Sequence, residues 1–223
     1  MRFRRSSRDH PFHDRTHAGQ QIAALLAQLF IDVQASDLIV LGLARGGVPV
    51  AAEAADRLGC ALDACVVRKI GAPDQPELAV GAIAPGDIRV LNRSLILDLG
   101  LSDAAVEQLS WSASQERTRI DEQIRSSAPL PRLRDRIVVL VDDGLATGAS
   151  MQAAVAWAKA SDPRQIVVAV PVAPPRLIDD FRRGGVDAIS ILAPETFGSV
   201  GQFYDDFAEV TTDTVRRLLA EHR

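Results

Sequence analysis

Aromatic side chains are scarce in this chain and make up only 4% of its 223 residues. A core with so few rings must be packed mainly from Val, Ile, Leu and Ala, a composition that suits a buried parallel β-sheet. Hydrophobic residues are nevertheless 47% of the chain and charged residues 24%, which is ordinary for a globular protein. The composition therefore predicts a folded domain with an aliphatic core.

Long apolar runs are also missing. No run approaches the roughly 18 residues that a membrane span needs, and no signal-peptide core follows the basic start. The two cysteines, Cys60 and Cys65, have no neighbouring cysteine or histidine to complete a metal site, and we expect them to be reduced and buried. We therefore expect a cytoplasmic protein with no membrane partner.

Positive charge is not in excess, since the formal net charge is -4. This balance argues against a protein whose whole surface binds nucleic acid. One basic cluster stands at the start of the chain, at Arg2, Arg4, Arg5 and Arg8. A frayed terminus explains it more simply than contact with an anion or RNA. Nucleic acid is therefore not expected as a partner.

Strand-like and helix-like segments alternate along the chain. Helical spacing of apolar residues or helix start and stop signals predict helices at Ala18–Phe30, Pro49–Leu58, Ser102–Ile124, Ser150–Ala160 and Leu177–Arg183. Short apolar runs predict strands at Asp37–Leu43, Leu62–Val67, Arg136–Val141, Gln165–Val170 and Ala188–Leu192. Gly71–Gly86 is rich in proline and glycine, and is predicted as a loop or a short edge strand.

This alternation predicts an α/β fold, in which a mostly parallel, twisted sheet has helices on both faces. Residues 1–170 are expected to form the core together with an N-terminal helix. Residues 171–223 are expected to form a C-terminal cap, or hood, that belongs to the same domain.

The segment after the predicted strand Arg136–Val141 concentrates polar groups. Asp142 and Asp143 end the strand, Gly144 permits a turn, and Thr147–Ser150 opens a helix. Ligands of such sheets bind at the carboxyl ends of the strands. Adjacent carboxylates can reach vicinal hydroxyls or a hard cation such as Mg²⁺, and N–H groups at a helix start can surround a phosphate. A plain strand-to-helix turn would need only one Asp and perhaps one Gly.

Two more loops at strand ends have unusual composition. Arg45-Gly46-Gly47 follows the first strand, and its glycines let backbone amides approach an anion to which Arg45 adds a charged donor. Arg68 and Lys69 place two basic side chains at the end of the second strand. Taken alone, the first loop could be an ordinary turn and the basic pair could be solvated charges.

Taken together, the three motifs resemble those of the type I phosphoribosyltransferases, which bind 5-phosphoribosyl-1-pyrophosphate (PRPP). The PRPP motif of that family has four hydrophobic residues, two acids and a phosphate loop containing Thr-Gly, as at Val138–Ser150 here. The resemblance extends over most of the chain, through Phe12-x-Asp14-Arg15, Gly42–Val50, Val67–Val80, Val141–Met151 and Val170–Pro175.

The resemblance implies a role for each motif. Asp142 and Asp143 would hold the ribose 2- and 3-hydroxyls and, through PRPP, Mg²⁺. The 5-phosphate would be bound by Gly144, Leu145, Ala146, Thr147, Gly148, Ala149 and Ser150. Pyrophosphate would be bound by Arg45, Gly46, Gly47, Arg68 and Lys69, with Arg45 and Lys69 joining the two acids in catalysis. A non-proline cis peptide, common in the family's pyrophosphate loop, would fall at Ala44–Arg45.

The implied reaction is a Mg²⁺-dependent displacement of pyrophosphate from PRPP by a nitrogen nucleophile. The acceptor, a nucleobase or a related compound, is left unidentified. Hypoxanthine-guanine enzymes carry an Asp where this chain has Ala146, which disfavours 6-oxopurines. In the hood, Phe197, Phe203 or Tyr204 could stack on a flat ring, and a flexible loop within 82–131 would exclude water.

The motifs give Glu77 no defined role.

The protein is expected to be a homodimer. The alternative function is a PRPP-sensing regulator without transferase activity, which would need a second basic surface. A dinucleotide dehydrogenase or a P-loop kinase is disfavoured, because neither Gly-x-Gly-x-x-Gly nor Gly-x-x-x-x-Gly-Lys is present at the required place.

Overall fold

The computed structural model describes residues 10–73, 75–126 and 128–222, with the backbone but not the side chains of Pro76 and Glu77. The basic cluster from Arg2 to Arg8 and the Glu77 side chain therefore lie outside the described residues. The interpretations given to them stay predictions.

The described part of the chain alternates between strands and helices, as the sequence predicts. The α-helices are α1 (Arg15–Leu29), α2 (Gly47–Leu58), α3 (Arg93–Asp98), α4 (Asp103–Arg125), α5 (Ala149–Ala160), α6 (Pro175–Arg183) and α7 (Thr212–Glu221). The strands are β1 (Leu38–Ala44), β2 (Ala61–Val66), β3 (Arg68–Ala72), β4 (Gln75–Ile83), β5 (Arg89–Leu91), β6 (Ile137–Val141), β7 (Gln165–Val172) and β8 (Asp187–Leu192).

Five strands form the main sheet in the order β2-β1-β6-β7-β8, and all of its pairings are parallel. At its centre, Val139 of β6 is flanked by Val40 of β1 and Val167 of β7. Helices α1, α2 and α7 contribute to the buried cluster on one face, and α5 and α6 to the cluster on the other. Every residue of β6 is buried. The predicted α/β fold is confirmed, and its parallel strands all end at one edge.

The Pro- and Gly-rich stretch 71–86 was predicted as a loop or a short edge strand, and this prediction was incomplete. Strands β3, β4 and β5 form a second, antiparallel sheet in that region. Pro73 lies in the turn between β3 and β4, and Pro76 precedes Gly81–Ile83, the part of β4 that has a neighbour on both sides. The prolines therefore stand where a missing N–H disturbs the sheet least.

The range 82–131, where the resemblance places a flexible loop, contains β5, α3 and the 23-residue helix α4. Ala113 of α4 packs with Ile70 of β3 in a small cluster beneath the second sheet. Closure of this region over a ligand stays a prediction. No helix in the described ranges is both long and apolar enough to cross a membrane.

The C-terminal region only partly leaves the main sheet. Residues 171–192 contain the end of β7, α6 and β8, and so complete that sheet. Residues 193–211 then cross its carboxyl edge, and α7 packs against α2 and α4 on the far side. The part of the predicted hood that can cover a ligand is therefore the crossing segment.

Candidate active site

A cavity of about 570 Å³ opens at the carboxyl edge of the main sheet. Strands β1 and β6 are neighbours that end there, so the loop after β1 and the acids after β6 line the same space. Nearly all residues predicted from the three motifs line this cavity, and the exceptions are Gly47 and Arg68. Residues of all three predicted motifs therefore line the same cavity.

The acidic pair lies at the floor of the cavity. The Asp143 N–H donates to Asp142 Oδ1 at 2.9 Å, and the Asp143 side chain is only 13% exposed. Burial, together with the charge of Asp143, raises the pKa of Asp142 well above its ordinary value. Burial also raises the pKa of Asp143, although Arg15 opposes this shift. A cation or hydroxyl donors from a ligand would stabilise the ionised pair.

Arg15 is a site residue to which the sequence motifs gave no role. Its Nε donates to Asp143 Oδ2 at 2.8 Å, and its Nη1 donates to the Ala208 carbonyl at 2.7 Å. The guanidinium carbon lies 3.9 Å from the centre of the Phe207 ring. Arg15 opens α1 directly after Asp14, whose carboxylate accepts the His17 N–H as the helix N-cap. In the sequence, Arg15 was indicated by the Phe12-x-Asp14-Arg15 segment, which is part of the family resemblance.

The two glycines after β1 are required by the acidic pair itself. A Cβ at Gly46 would lie 2.3 Å from Asp143 Oδ2, and one at Gly47 would lie 2.6 Å from the Val141 carbonyl oxygen. Side chains at these positions would therefore push the loop away from the acids. The sequence analysis had assigned the glycines to the close approach of an anion. The cis peptide at Ala44–Arg45 that the resemblance implies is present.

In the predicted phosphate loop, Leu145 differs from the residues that follow it. Its N–H donates to the Val172 carbonyl at 2.9 Å and its side chain is 3% exposed, so its amide is used within the fold although the residue lines the cavity. Residues 146–149 find no acceptor for their N–H groups in the described part of the chain. Gly148 adopts a positive φ of 78° at the start of α5. Unpaired amides at a helix start have the geometry and the partial charge to bind an anion.

The two predicted basic residues, Arg68 and Lys69, are neighbours on β3 and point in different directions. Successive residues of β3 point to opposite sides. Lys69 lines the cavity, whereas Arg68 Nη2 lies 3.7 Å from Glu116 Oε1 of α4. The structure therefore does not bring Arg68 into the cavity. Arg45 does line it, and its guanidinium is paired with the carboxylate of Glu209.

The hood aromatics predicted to stack on a ring do not line the cavity. Phe197 packs on Phe203 with ring centres 5.3 Å apart, and Tyr204 is 3% exposed. The Tyr204 hydroxyl donates to the Asp143 carbonyl at 2.6 Å, and burial raises its pKa, so it stays protonated as a donor. The aromatic ring that lines the cavity is Phe207, which is 36% exposed.

The acidic pair suits a magnesium ion that arrives with its ligand. No group of three or more His, Cys, Asp or Glu in the described ranges could hold a metal. Mg²⁺ is commonly held by one or two carboxylates together with substrate phosphates and water. One oxygen of each acid, Asp142 Oδ2 and Asp143 Oδ1, has no donor among the described residues. The donor set therefore fits Mg²⁺ only in company with phosphate oxygens.

Comparison with known proteins identifies the family to which this chain belongs. The family model described as the phosphoribosyl transferase domain matches residues 12–207. Two proteins of Mycobacterium tuberculosis, from strains H37Rv and CDC 1551, are provisionally named phosphoribosyl transferases. Each is 41% identical over 208 residues, which are 93% of this chain and 46% of the relative. The chain belongs to the phosphoribosyl transferase family, and spans about half the length of the curated relatives it matches.

Solved structures agree on the fold. The crystal structure of a protein from Thermus thermophilus is similar with a TM-score of 0.77 and 40% identity, over 95% of this chain and 98% of that one. A protein from Aquifex aeolicus is similar with a TM-score of 0.52 and 12% identity, over 84% and 78% of the two chains. The second likeness concerns the fold alone.

Proposed function

We propose that this chain is a Mg²⁺-dependent phosphoribosyltransferase that transfers the phosphoribosyl group of PRPP to a nitrogen nucleophile. The observation that carries the proposal is the convergence of three groups on one cavity. The acids Asp142 and Asp143, the free amides of 146–149, and the cations Arg45 and Lys69 all line it. Ribose hydroxyls, a 5-phosphate and a pyrophosphate need acceptors, amide donors and cations respectively.

The charges of the cavity suit the proposed reaction. As the bond from the anomeric carbon to pyrophosphate breaks, positive charge grows on the ribose and negative charge on the leaving group. Asp142 and Asp143 hold the hydroxyls beside the growing positive charge, while Arg45 and Lys69 bind the departing oxygens. Mg²⁺, when bound with PRPP, would neutralise further charge on the pyrophosphate. The acceptor nitrogen then forms the new bond and loses a proton.

Transfer to 6-oxopurines is expected to be absent or slow. Ala146 has no group that can donate or accept a proton beside the base, and such help typically contributes about a hundredfold or more. The test is nucleotide formation from labelled PRPP and Mg²⁺ with hypoxanthine, guanine, adenine, orotate and uracil. Turnover of a 6-oxopurine at about one per second or faster would contradict the argument from Ala146.

The same assay tests the proposed function. A transferred phosphoribosyl group with any nitrogen acceptor supports it. PRPP binding without transfer to a wide panel of acceptors would favour the PRPP sensor instead. The homodimer and the cytoplasmic location expected from the sequence stay predictions.

Arg45→Ala or Lys69→Ala is expected to weaken the binding of pyrophosphate and leave that of ribose 5-phosphate nearly unchanged. The loss of one charge-assisted contact at a part-exposed site should cost about tenfold in affinity. Calorimetric titration of each variant with both ligands measures the difference. Arg68→Ala is the matched control, because that side chain lies against Glu116 of α4. Equal losses for both ligands would leave these cations only a general electrostatic role.

A further inference from the structure

Residues 204–210, here called the clasp, run along the cavity between two anchored ends, and Phe207, Glu209 and Val210 line it. At one end, the N–H groups of Asp205 and Asp206 donate to the Phe12 and His13 carbonyls at 2.9 and 2.8 Å. At the other end, Thr211 caps α7 by accepting the Thr214 N–H. Between these anchors, residues 207–210 make no backbone–backbone hydrogen bond within the described ranges.

Side chains hold the middle of the clasp in place. Arg15 donates to the Ala208 carbonyl and stacks on Phe207, and Glu209 pairs with Arg45. A segment with few backbone hydrogen bonds can shift without disturbing the sheet. Phe207 also packs on Tyr204, the Ala208 N–H donates to Asp206 Oδ1, and Val210 packs against the core. Of the contacts that hold residues 207–210, the one made by Glu209 uses a cation of the proposed active site.

The partner of Arg45 is an anion of the kind that the cavity is proposed to bind. A guanidinium pairs with carboxylate and phosphate oxygens through the same planar set of N–H donors. Glu209 is 77% exposed and Arg45 39%, so no burial locks the pair together. A ligand with several negative charges can replace a single exposed carboxylate on Arg45.

We propose that Glu209 is an internal competitor for the pyrophosphate group, and that pyrophosphate releases the Glu209 side chain by taking Arg45 from it. The inference rests on the proposed function, because it assigns Arg45 to pyrophosphate. Phe207 and Val210 keep their contacts with Arg15, Tyr204 and the core, so the part of the clasp that is freed is the Glu209 side chain. Binding of the donor is in this way coupled to the position of Glu209 at the edge of the cavity.

Glu209→Gln removes the competing charge and keeps the size of the side chain. Loss of an exposed ion pair changes an equilibrium by roughly 1.4- to 5-fold, and loss of repulsion toward a multiply charged ligand adds to this. Pyrophosphate with Mg²⁺ should therefore bind about three- to tenfold more tightly to the variant. Affinity for ribose 5-phosphate should change less, because the loop at 146–150 holds that phosphate.

The controls separate the competitor from a general change in charge. Glu195→Gln removes an exposed carboxylate outside the cavity and should leave pyrophosphate affinity unchanged. In an Arg45→Ala background, Glu209→Gln should lose most of its effect, because the contested cation is gone. If Glu209→Gln does not fold, Glu209→Ala is used in its place. It should likewise bind pyrophosphate more tightly than the unsubstituted chain.

The experiment begins with calorimetric titration of the unsubstituted chain with PRPP and with pyrophosphate, each with Mg²⁺. A chain that binds neither would refute the proposed function itself. If the chain binds and Glu209→Gln binds pyrophosphate with equal or lower affinity, the competitor is refuted while the proposed function stands. An equal gain in the Arg45→Ala background would also refute it.

Discussion

Replacement of both Asp142 and Asp143 by Asn is expected to abolish detectable binding of PRPP with Mg²⁺. Hydrogen bonds to charged groups are each worth about 1.5–3 kcal/mol, so losing the two acids together should cost about 100-fold or more in affinity. Amides also offer donors where the ribose hydroxyls need acceptors. The measurement is the rise in melting temperature with increasing PRPP, which reports binding by mass action.

The stability of the unliganded double variant depends on opposing contributions, and its melting temperature without ligand shows whether it is folded. Burial raises the pKa of both acids. A carboxyl whose pKa is raised by folding binds its proton more tightly in the folded state, so its ionised form costs stability at neutral pH. Asn removes this cost, although Arg15 then loses its charged partner. A loss of PRPP binding in a folded variant is therefore a loss at the site.

The exposed pair Asp179 and Asp180 of α6 provides the matched control. Converting both to Asn removes two adjacent charges at a distance from the cavity and should leave PRPP binding unchanged. If the Asp142 and Asp143 double variant binds PRPP with an affinity close to that of the parent, the ribose assignment is wrong.

Gly47→Ala is expected to reduce transferase activity by about a hundredfold and to destabilise the fold, since displacement of catalytic groups by about 1 Å can cost that much. The new Cβ would lie 2.6 Å from the Val141 carbonyl oxygen and 2.8 Å from the Asp142 Cα. These are backbone atoms, so the start of α2 and the acidic pair must move apart. Overpacking of this kind typically costs about 1–3 kcal/mol.

Two opposing effects decide whether Gly47→Ala lowers or raises the stability of the fold. Alanine is favoured over glycine inside a helix by about 0.8–1 kcal/mol. Gly47 is the first residue of α2, where that gain is small, so the clash should win. Chemical denaturation and initial rates measure the two losses. Gly198→Ala is the control, because its Cβ would meet only the end of the Gln202 side chain. Full activity in Gly47→Ala would show that the acids tolerate displacement.

Local sequence patterns were sufficient to predict the main sheet and to indicate the side of the cavity that carries the two acids and the free amides. The apolar run Arg136–Val141 predicted β6 to within one residue, because a central parallel strand is apolar on both faces. Asp142, Asp143 and the free amides after them follow that strand directly in sequence. Once the strands are parallel, their carboxyl ends must meet at one edge, so the motifs could be brought together without a structure.

The other wall of the cavity could not be predicted in this way. Arg15 and Phe207 lie near opposite ends of the chain, and no local pattern indicates that they meet. The direction of the Arg68 side chain, toward Glu116, depends on the register of β3, which the Pro- and Gly-rich stretch did not reveal. The hydrogen bond from the Leu145 N–H could not be predicted either, because the Val172 carbonyl that accepts it lies on another strand.

The clasp has a consequence for how this cavity can be altered by substitution. The amides after β6 and the loop after β1 directly follow two neighbouring strands of the main sheet, so their positions are set mainly by the backbone. The opposite wall consists of side chains on one short crossing, four residues of which are free of backbone pairing within the described ranges. The two walls are still joined, because Tyr204 donates to the Asp143 carbonyl and Arg15 contacts both Asp143 and Ala208. Substitutions at Phe207, Glu209 or Val210 that keep Tyr204 and Arg15 should therefore change the shape of the cavity and leave the acidic pair in place.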